Sequence, residues 1–98
     1  MGAEGATEDP DVARARALAL LEAAHQFPCD YALTVIAFNR EEVETAVREA
    51  VEPTRHERVS SRGGKYVSHR FEVRVVTSTD VLEIYARVRQ VEGVVTIL

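Results

Sequence analysis

Five residues around a glycine turn carry the side chains in this sequence that are best suited to bind a ligand. They are Arg62, Lys65, Tyr66, Ser68 and Arg70. Arginine and lysine donate charge-assisted hydrogen bonds to carboxylates and phosphates, and tyrosine adds a flat ring with a hydroxyl group. Six basic and only two acidic residues lie between Arg55 and Arg74, although the whole chain carries a net charge of −4. The pattern indicates a site for an anion or for a protein partner.

The run Gly63-Gly64-Lys65 is not a nucleoside-triphosphate phosphate loop. That motif requires a glycine at the position of Val59 and a serine or threonine at that of Tyr66. The alternative is a hairpin turn in which the glycines adopt positive φ. No nucleophile–base pair or carboxylate pair is apparent elsewhere in the sequence, so we expect a protein that is not an enzyme, without catalytic residues.

The residues that could bind a metal are scattered. His25, His56 and His69 lie in different predicted elements, and none has the spacing of a metal motif with Cys29. His69 falls on the inward side of a strand, where a hydrogen-bonded core histidine is the expected role. Cys29 is followed by Asp30, and an acidic neighbour favours a packed thiol over a reactive one. We therefore expect no metal and no cofactor.

The composition is that of one small globular domain. Of the 98 residues, 46% are hydrophobic and 29% charged, and the acidic net charge argues against nucleic-acid binding. No apolar run approaches the roughly 18 residues of a membrane span. The amino-terminal residues lack the basic and apolar regions of a signal peptide. With a single cysteine, the expected location is the cytoplasm.

The periodicity of apolar residues predicts a helix followed by the order βαββαβ. Residues 1–10 are expected to be a disordered leader, 11–26 an amino-terminal helix and 27–98 a single domain. The expected strands are 31–38, 55–61, 66–77 and 94–98. The helix between the first two strands is expected to bury Val43, Ala46, Val47, Ala50 and Val51. The helix between the last two strands is expected to bury Val81, Ile84, Tyr85, Val88 and Val91.

Two interleaved βαβ units predict an α+β fold, the ferredoxin-like plait: a four-stranded antiparallel sheet of order 4-1-3-2 with both core helices on one face. The other face would display Tyr66, Ser68 and Arg70 beside Thr34 and Ile36. A solvated polar face is the plain alternative to a binding site there. An RNA-binding sheet of this kind carries aromatic residues on both central strands, and only Tyr66 is expected here, so no nucleic-acid partner is predicted.

Several segments resemble the YbeD-like family of small bacterial proteins. The most specific are Phe27-Pro28-Cys29-Asp30 and the hairpin Ser60-Ser61-Arg62-Gly63-Gly64-Lys65-Tyr66-Val67-Ser68. Weaker similarity lies in Leu20-Leu21-Glu22, in Leu82 with Tyr85, and in the closing strand, so that it spans roughly residues 20–98. The resemblance implies an ACT-like βαββαβ fold and a regulatory role, since the family is labelled as lipoate-related regulatory proteins.

The last strand is an apolar sheet edge. Its residues Val94, Val95, Thr96 and Ile97 would leave backbone groups free for pairing unless something covers them. ACT-like modules commonly pair through sheets, so the resemblance implies a homodimer with this strand at the interface. Alternatively, the amino-terminal arm covers the edge within one chain.

Two functional hypotheses follow. The first is a regulatory domain that binds a small effector or a metabolic enzyme through the basic hairpin. The second is a protein–protein adaptor that associates through the carboxy-terminal edge strand and binds no small ligand.

Overall fold

The structure is a computed structural model that describes residues 8–98. Residues 1–7, most of the predicted leader, lie outside the described part of the chain. The described elements are helix α1 (Pro10–Ala24), strand β1 (Cys29–Phe38), helix α2 (Glu41–Val51), strand β2 (Arg55–Ser60), strand β3 (Tyr66–Val75), helix α3 (Ser78–Arg89) and strand β4 (Val94–Ile97). The predicted element order is thus confirmed, and the ends of the strands differ from prediction by at most two residues.

The four strands form one antiparallel sheet in the order β2-β3-β1-β4. This is the predicted order, with β1 and β3 in the centre. Along their ten paired positions Leu33 faces Phe71, Val35 faces His69 and Phe38 faces Tyr66. Because side chains alternate between the two faces of a strand, the pairs Leu33–Phe71 and Val35–His69 lie on the face toward the helices, and the pair Phe38–Tyr66 lies on the opposite face.

One face of the sheet packs against α2 and α3. The core consists of apolar residues from both helices and from the inward positions of the two central strands, with the aliphatic side chains of valine predominant. The fully buried residues include Val35, Val47, Val67, Val81 and Val88. Both core helices therefore lie on one face, as the apolar stripes predicted, and the opposite face of the sheet is open.

The sequence predicts Asn39 as the cap of α2 and Ser78 or Thr79 as the cap of α3, and the structure differs at both helices. Asn39 does not cap α2; Arg40 occupies the cap position and makes no side-chain cap hydrogen bond, while the Asn39 amide donates to the Gly64 carbonyl oxygen at 2.9 Å. For α3 the cap is Thr77, not Ser78 or Thr79, in a capping box with Asp80. Asn39 is drawn away from the cap position by its long-range hydrogen bond. Thr77 is the cap because its backbone conformation is the one that a capping box requires.

Helix α1 lies at the edge of the fold. It ends at Ala24, two residues earlier than predicted, because His25 adopts an extended conformation (φ −137°, ψ 149°). None of its residues is buried, and Leu20, predicted to lie on the packing side, is 65% exposed. Its clearest attachment is a 2.6 Å hydrogen bond from the Ser78 hydroxyl to the Glu22 carboxylate.

Strand β4 continues the sheet beside β1. Leu98 and Thr34 exchange backbone hydrogen bonds of 2.8 and 3.2 Å, so by alternation the backbone of Ile97 points away from β1. Gly93 precedes the strand with φ +101°, and its carbonyl accepts a 2.9 Å hydrogen bond from the Phe38 amide. No helix among residues 8–98 is both long and apolar enough to cross a membrane.

Candidate functional site: the open face of the sheet

The open face of the sheet is built by alternate residues of all four strands, and it divides into two halves of different chemistry. One half, at the β2–β3 turn, holds aromatic and apolar side chains with cations at its border. The other half holds charged residues of both signs. The division follows from the register, which sets Phe38 beside Tyr66 at one end and Asp30 beside Arg74 at the other.

The first half, called the aromatic end below, consists of Phe38, Tyr66, Arg40 and Lys65. The two rings lie on the neighbouring central strands with their centroids 5.3 Å apart and an interplanar angle of 38°. Both side chains are half-buried, which holds them in place while leaving part of each ring accessible. Ile36 and Ser68, the next residues of this face on β1 and β3, extend the surface with small apolar and polar groups.

Two cations border these rings. The Arg40 guanidinium lies 5.4 Å from the centroid of the Phe38 ring, and the Lys65 ammonium lies 5.4 Å from that of Tyr66. Both are within the distance at which a cation is attracted by the face of an aromatic ring. Arg40 and Lys65 are themselves exposed, so each positive charge remains available to an incoming anion.

The turn that carries Lys65 is tied down at several points. Ser61 accepts a backbone hydrogen bond from Gly64 at 2.9 Å, and its hydroxyl accepts one from the Tyr66 amide at 3.0 Å. Gly63 adopts φ +87°, the sign that the third residue of a type II turn requires. Arg62, beside it, is exposed. The glycines thus have the conformational role expected of a hairpin.

A second set of contacts joins this turn to α2. The Arg58 guanidinium donates to the Glu44 carboxylate at 3.0 Å and to the Asn39 side-chain oxygen at 3.3 Å. Asn39 in turn donates to the Gly64 carbonyl. Because these hydrogen bonds fix the chain on both sides of the turn, the residues of the aromatic end are held in place, which favours a preformed site.

The second half of the open face, called the charged half below, is a ladder of opposite charges. Arg55 pairs in register with Glu72, and Glu57 with Arg70. Arg74 and Asp30, also in register, lie 3.5 Å apart. A shallow depression of about 640 Å³ crosses this half and is lined by Arg55, Glu57, Arg70 and Glu72 among others. Its alternating signs neutralise each other, as in a solvated polar face.

The five predicted binding residues therefore do not form one cluster. Lys65, Tyr66 and Ser68 belong to or adjoin the aromatic end, and Arg62 lies at the tip of the neighbouring turn. Arg70 lies in the charged half opposite Glu57. A carboxylate at that position makes Arg70 a poorer partner for an anion than its charge alone suggested.

The sequence interpretation missed two members of the site. Phe38 was not expected on the open face, so Tyr66 was wrongly taken as the only aromatic residue there. The alternation Thr34, Ile36, Phe38 contains the signal, since Phe38 is the last residue of the predicted strand 31–38 and shares the face of Ile36. Arg40 gave no signal, because its position depends on the turn between β1 and α2.

Behind the sheet, two histidines that are distant in sequence form a hydrogen-bonded pair. His56 Nε2 lies 2.9 Å from His69 Nδ1, and the His56 ring lies 4.5 Å from that of Phe71. Burial lowers the pKa of His69 below its ordinary value, and the neighbouring His56 lowers it further. Burial also lowers the pKa of His56, although Glu44 opposes that shift. The predicted hydrogen-bonded core role of His69 is confirmed, and its partner is new.

A cluster of aromatic residues lies at the other end of the domain, around Tyr31 and Tyr85. The Tyr31 and Tyr85 hydroxyls lie 3.0 Å apart, and burial raises the pKa of Tyr85 above its ordinary value. The Tyr85 phenol therefore stays protonated at neutral pH. Among residues 8–98, no group of three or more histidine, cysteine, aspartate or glutamate residues is arranged to hold a metal ion.

The predicted interface residues of β4 divide between the core and the surface. Val94 and Ile97 pack partly against the core, whereas Val95 is 51% exposed and Thr96 is exposed. A groove of about 470 Å³ runs along the strand and is bordered by Tyr85 and Arg89 of α3. The edge is accessible over four residues, a short length for strand pairing.

Comparison with curated proteins gave no match, and comparison with solved structures gave none either. A family model does match, over residues 22–98. The matched range contains the whole sheet, both core helices and every residue of the aromatic end, and it begins within α1. The chain belongs to the DUF493 family, which is described as a protein family of unknown function.

Proposed function

We propose that this protein is a non-enzymatic regulatory domain that binds a small anionic effector, or the surface of a metabolic enzyme, through the aromatic end of its open sheet face. The observation that carries the proposal is that two partly accessible aromatic rings lie side by side, each with an exposed cation near it, next to a turn that hydrogen bonds hold in place. Binding sites characteristically combine an apolar surface with a few well-placed polar groups.

The charge distribution supports an anionic partner. The acidic residues of the open face are Asp30, Glu57 and Glu72, and all three lie in the charged half. From Arg58 to Phe71 the chain carries four basic residues and no acidic one. An anion at the aromatic end would therefore meet Arg40, Lys65 and the nearby Arg62 without a competing carboxylate on that half of the face.

The proposed architecture is the ferredoxin-like plait in its ACT-like form, and the proposed relationship within the family is to its YbeD-like, lipoate-related members. The strand order and the two helices on one face support this interpretation. A homodimer in the bacterial cytoplasm is part of the same proposal, since modules of this type commonly bind effectors at a seam between sheets. The absence of an acid–base pair among the side chains of the aromatic end supports a role in binding without catalysis.

Native mass spectrometry of the protein purified from its own host tests the proposal. We expect a dimer that carries an additional small mass, and we expect Tyr66→Leu with Lys65→Gln to lose that mass. The matched control is Arg74→Gln, which removes an exposed charge from the same strand at the opposite end. A protein without any bound mass or associated enzyme, or a bound mass that survives the paired substitution, would exclude the aromatic end as the site.

A second candidate function is an adaptor that adds a strand of another protein to β4. The outward-facing backbone of Ile97 and the groove beside Tyr85 and Arg89 favour it, because an added strand would gain backbone hydrogen bonds and side-chain contacts together. The adaptor hypothesis predicts that Thr96→Lys abolishes association, since lysine on a sheet edge opposes pairing. Thr45→Lys, on the exposed side of α2, is its matched control, measured by pull-down from host lysate.

A further inference from the structure

The aromatic end has the chemical make-up of a site for a nucleobase joined to a phosphate. Phe38 and Tyr66 present two tilted rings across adjacent strands, and cations lie at their border. We propose that this site binds a single nucleotide, with its base against the Phe38 and Tyr66 rings and its phosphate held by Lys65 and Arg62. The inference rests on the proposed function and names the ligand class for that same site.

The rings can serve as a stacking surface because every nucleobase has a π-face, and aromatic side chains stack on bases without requiring a particular sequence. The face of Tyr66 is at present covered by the Lys65 ammonium at 5.4 Å. A base would take the place of that cation, and the freed ammonium would pair with the phosphate of the same ligand. The Arg40 guanidinium, 5.4 Å from the centroid of the Phe38 ring, would give way to the base in the same manner, so movements of two flexible, exposed side chains complete the site.

The phosphate has several donors at this end of the sheet, from the β2–β3 turn and from the neighbouring turn between β1 and α2. Lys65 offers three N–H groups, and Arg62 and Arg40 offer the forked donors that suit phosphate oxygens. All three side chains belong to exposed residues, so pairing with phosphate does not require a buried charge. The hydrogen bonds of Ser61 and Asn39 hold the turn in place, which lowers the entropic cost of binding.

The charged half restricts the ligand to one nucleotide or a very short unit. A single strand that continued along the open face would enter the charged half, where Arg55, Arg70 and Arg74 each lie in register with a carboxylate. These pairs leave no net positive charge to attract further phosphates, and the net charge of −4 of the whole chain opposes the binding of a polyanion. The arrangement therefore favours a free nucleotide over a nucleic acid, in contrast to sheets that bind RNA along their whole length.

The test is a titration of the intact protein with adenosine 5′-monophosphate and uridine 5′-monophosphate, followed by amide NMR shifts and calorimetry. Shifts are expected at Phe38, Arg40 and residues 62–68, with the amides of Asp30 and Arg74 unmoved. Adenosine and ribose 5-phosphate, which each carry one half of the ligand, should bind at least about tenfold more weakly than the nucleotide. An octauridylate strand should bind no more tightly per nucleotide than the monophosphate.

Substitutions separate stacking from charge. Phe38→Leu and Tyr66→Leu keep apolar bulk but remove the rings, and each should weaken nucleotide binding by roughly thirtyfold, the middle of the range for lost base stacking. Lys65→Gln should weaken binding and reduce its salt dependence. Arg74→Gln should change neither. Amide NMR spectra of each variant establish that the fold is intact.

Three results would overturn the nucleotide inference: no nucleotide binding at millimolar concentration, equal binding of ribose 5-phosphate, or a much tighter complex with octauridylate. The proposed function can survive a failure of the nucleotide inference, and a separate measurement distinguishes the two cases. If a different small mass is found on protein from its host and is lost with Tyr66→Leu, the binding site remains and only its ligand class is wrong. If no ligand or enzyme of any kind depends on Tyr66, both proposals fail.

Discussion

His56 Nε2 lies 2.9 Å from His69 Nδ1, and this contact sets the protonation states that the native protein tolerates. One ring must donate the shared hydrogen and the other must accept it, so protonation of both rings would turn both contacting nitrogens into donors. His69 is only 1% exposed, so neither the charge nor the lost hydrogen bond is readily compensated by water.

We predict that stability falls as the pH is lowered through about 6.5, the ordinary pKa of histidine in an unfolded chain. Both folded-state pKa values lie below it, mainly through burial, so the unfolded chain binds more protons in this range. The stabilisation is therefore complete above pH about 6.5 and is lost progressively below it. Urea unfolding at a series of pH values between neutrality and about 5 measures the slope.

Substitution of His69 identifies the source of that slope. His69→Leu places an apolar side chain at this buried position and removes one of the two titrating rings, so the slope should decrease. His25→Gln is the control, since His25 is exposed and lies outside the pair. A slope that is the same in His69→Leu as in the parent protein would assign it to other groups.

Gly93 is predicted to be the glycine least tolerant of substitution. A Cβ atom there would lie 2.6 Å from Val43 Cγ2, and φ is +101°, so Gly93→Ala combines a clash in the core with an unfavourable backbone. We expect a loss of roughly 3 kcal/mol of unfolding free energy, compared with about 1 kcal/mol for Gly63→Ala. At Gly63 φ is also positive, but no atom lies within 4 Å of the added methyl group. Equal losses in urea unfolding would contradict the packing argument.

The cap of α3 offers a direct comparison among three neighbouring hydroxyl residues. Thr77 accepts the Asp80 amide hydrogen bond at 3.3 Å, and Asp80 accepts from the Thr77 amide at 3.1 Å. Thr77→Ala should lower the unfolding free energy by about 1 kcal/mol. Thr79→Ala, at a position that the sequence pattern also favoured as the cap, should have a much smaller effect. Chemical denaturation of the two variants decides between the two caps.

The attachment of α1 should depend on Ser78. Its hydroxyl donates to the Glu22 carboxylate at 2.6 Å, and Ser78 is 4% exposed. Since no residue of α1 is buried, loss of this bond in Ser78→Ala is expected to speed amide exchange throughout α1 by roughly tenfold, the effect of a hydrogen bond to a charged group. Exchange in the central strands should change little. Retained protection of α1 would show that its few apolar contacts suffice.

Much of the architecture was predictable because it depends on local patterning. The alternation from Val67 to Val75 predicted which side of β3 is buried, and the apolar stripe from Val43 to Val51 predicted the face of α2. Pairing of these surfaces leaves few arrangements of a βαββαβ chain, so the strand order followed. Helix ends were less predictable, since Thr77 and Ser78 are equally good caps by type and differ only in their backbone position.

The candidate site was predicted only in part. Lys65, Tyr66 and Ser68 were identified from one continuous stretch, where the chemistry and spacing of the residues are visible. Phe38 and Arg40 come from a separate stretch, and their place beside that turn depends on the register between β1 and β3. Arg70 carried the right charge, but Glu57 lies opposite it on a neighbouring strand.

By itself, the sequence determined the strands and helices, their order and the side of each that is buried, because these follow from the alternation of apolar residues along short segments. The tertiary structure decided which distant residues meet: Phe38 with Tyr66, His56 with His69, and Ser78 with Glu22. Such contacts depend on strand register and helix placement, which arise from packing of the whole core. A shift of register by one residue would turn Phe38 away from Tyr66 and send it to the other face.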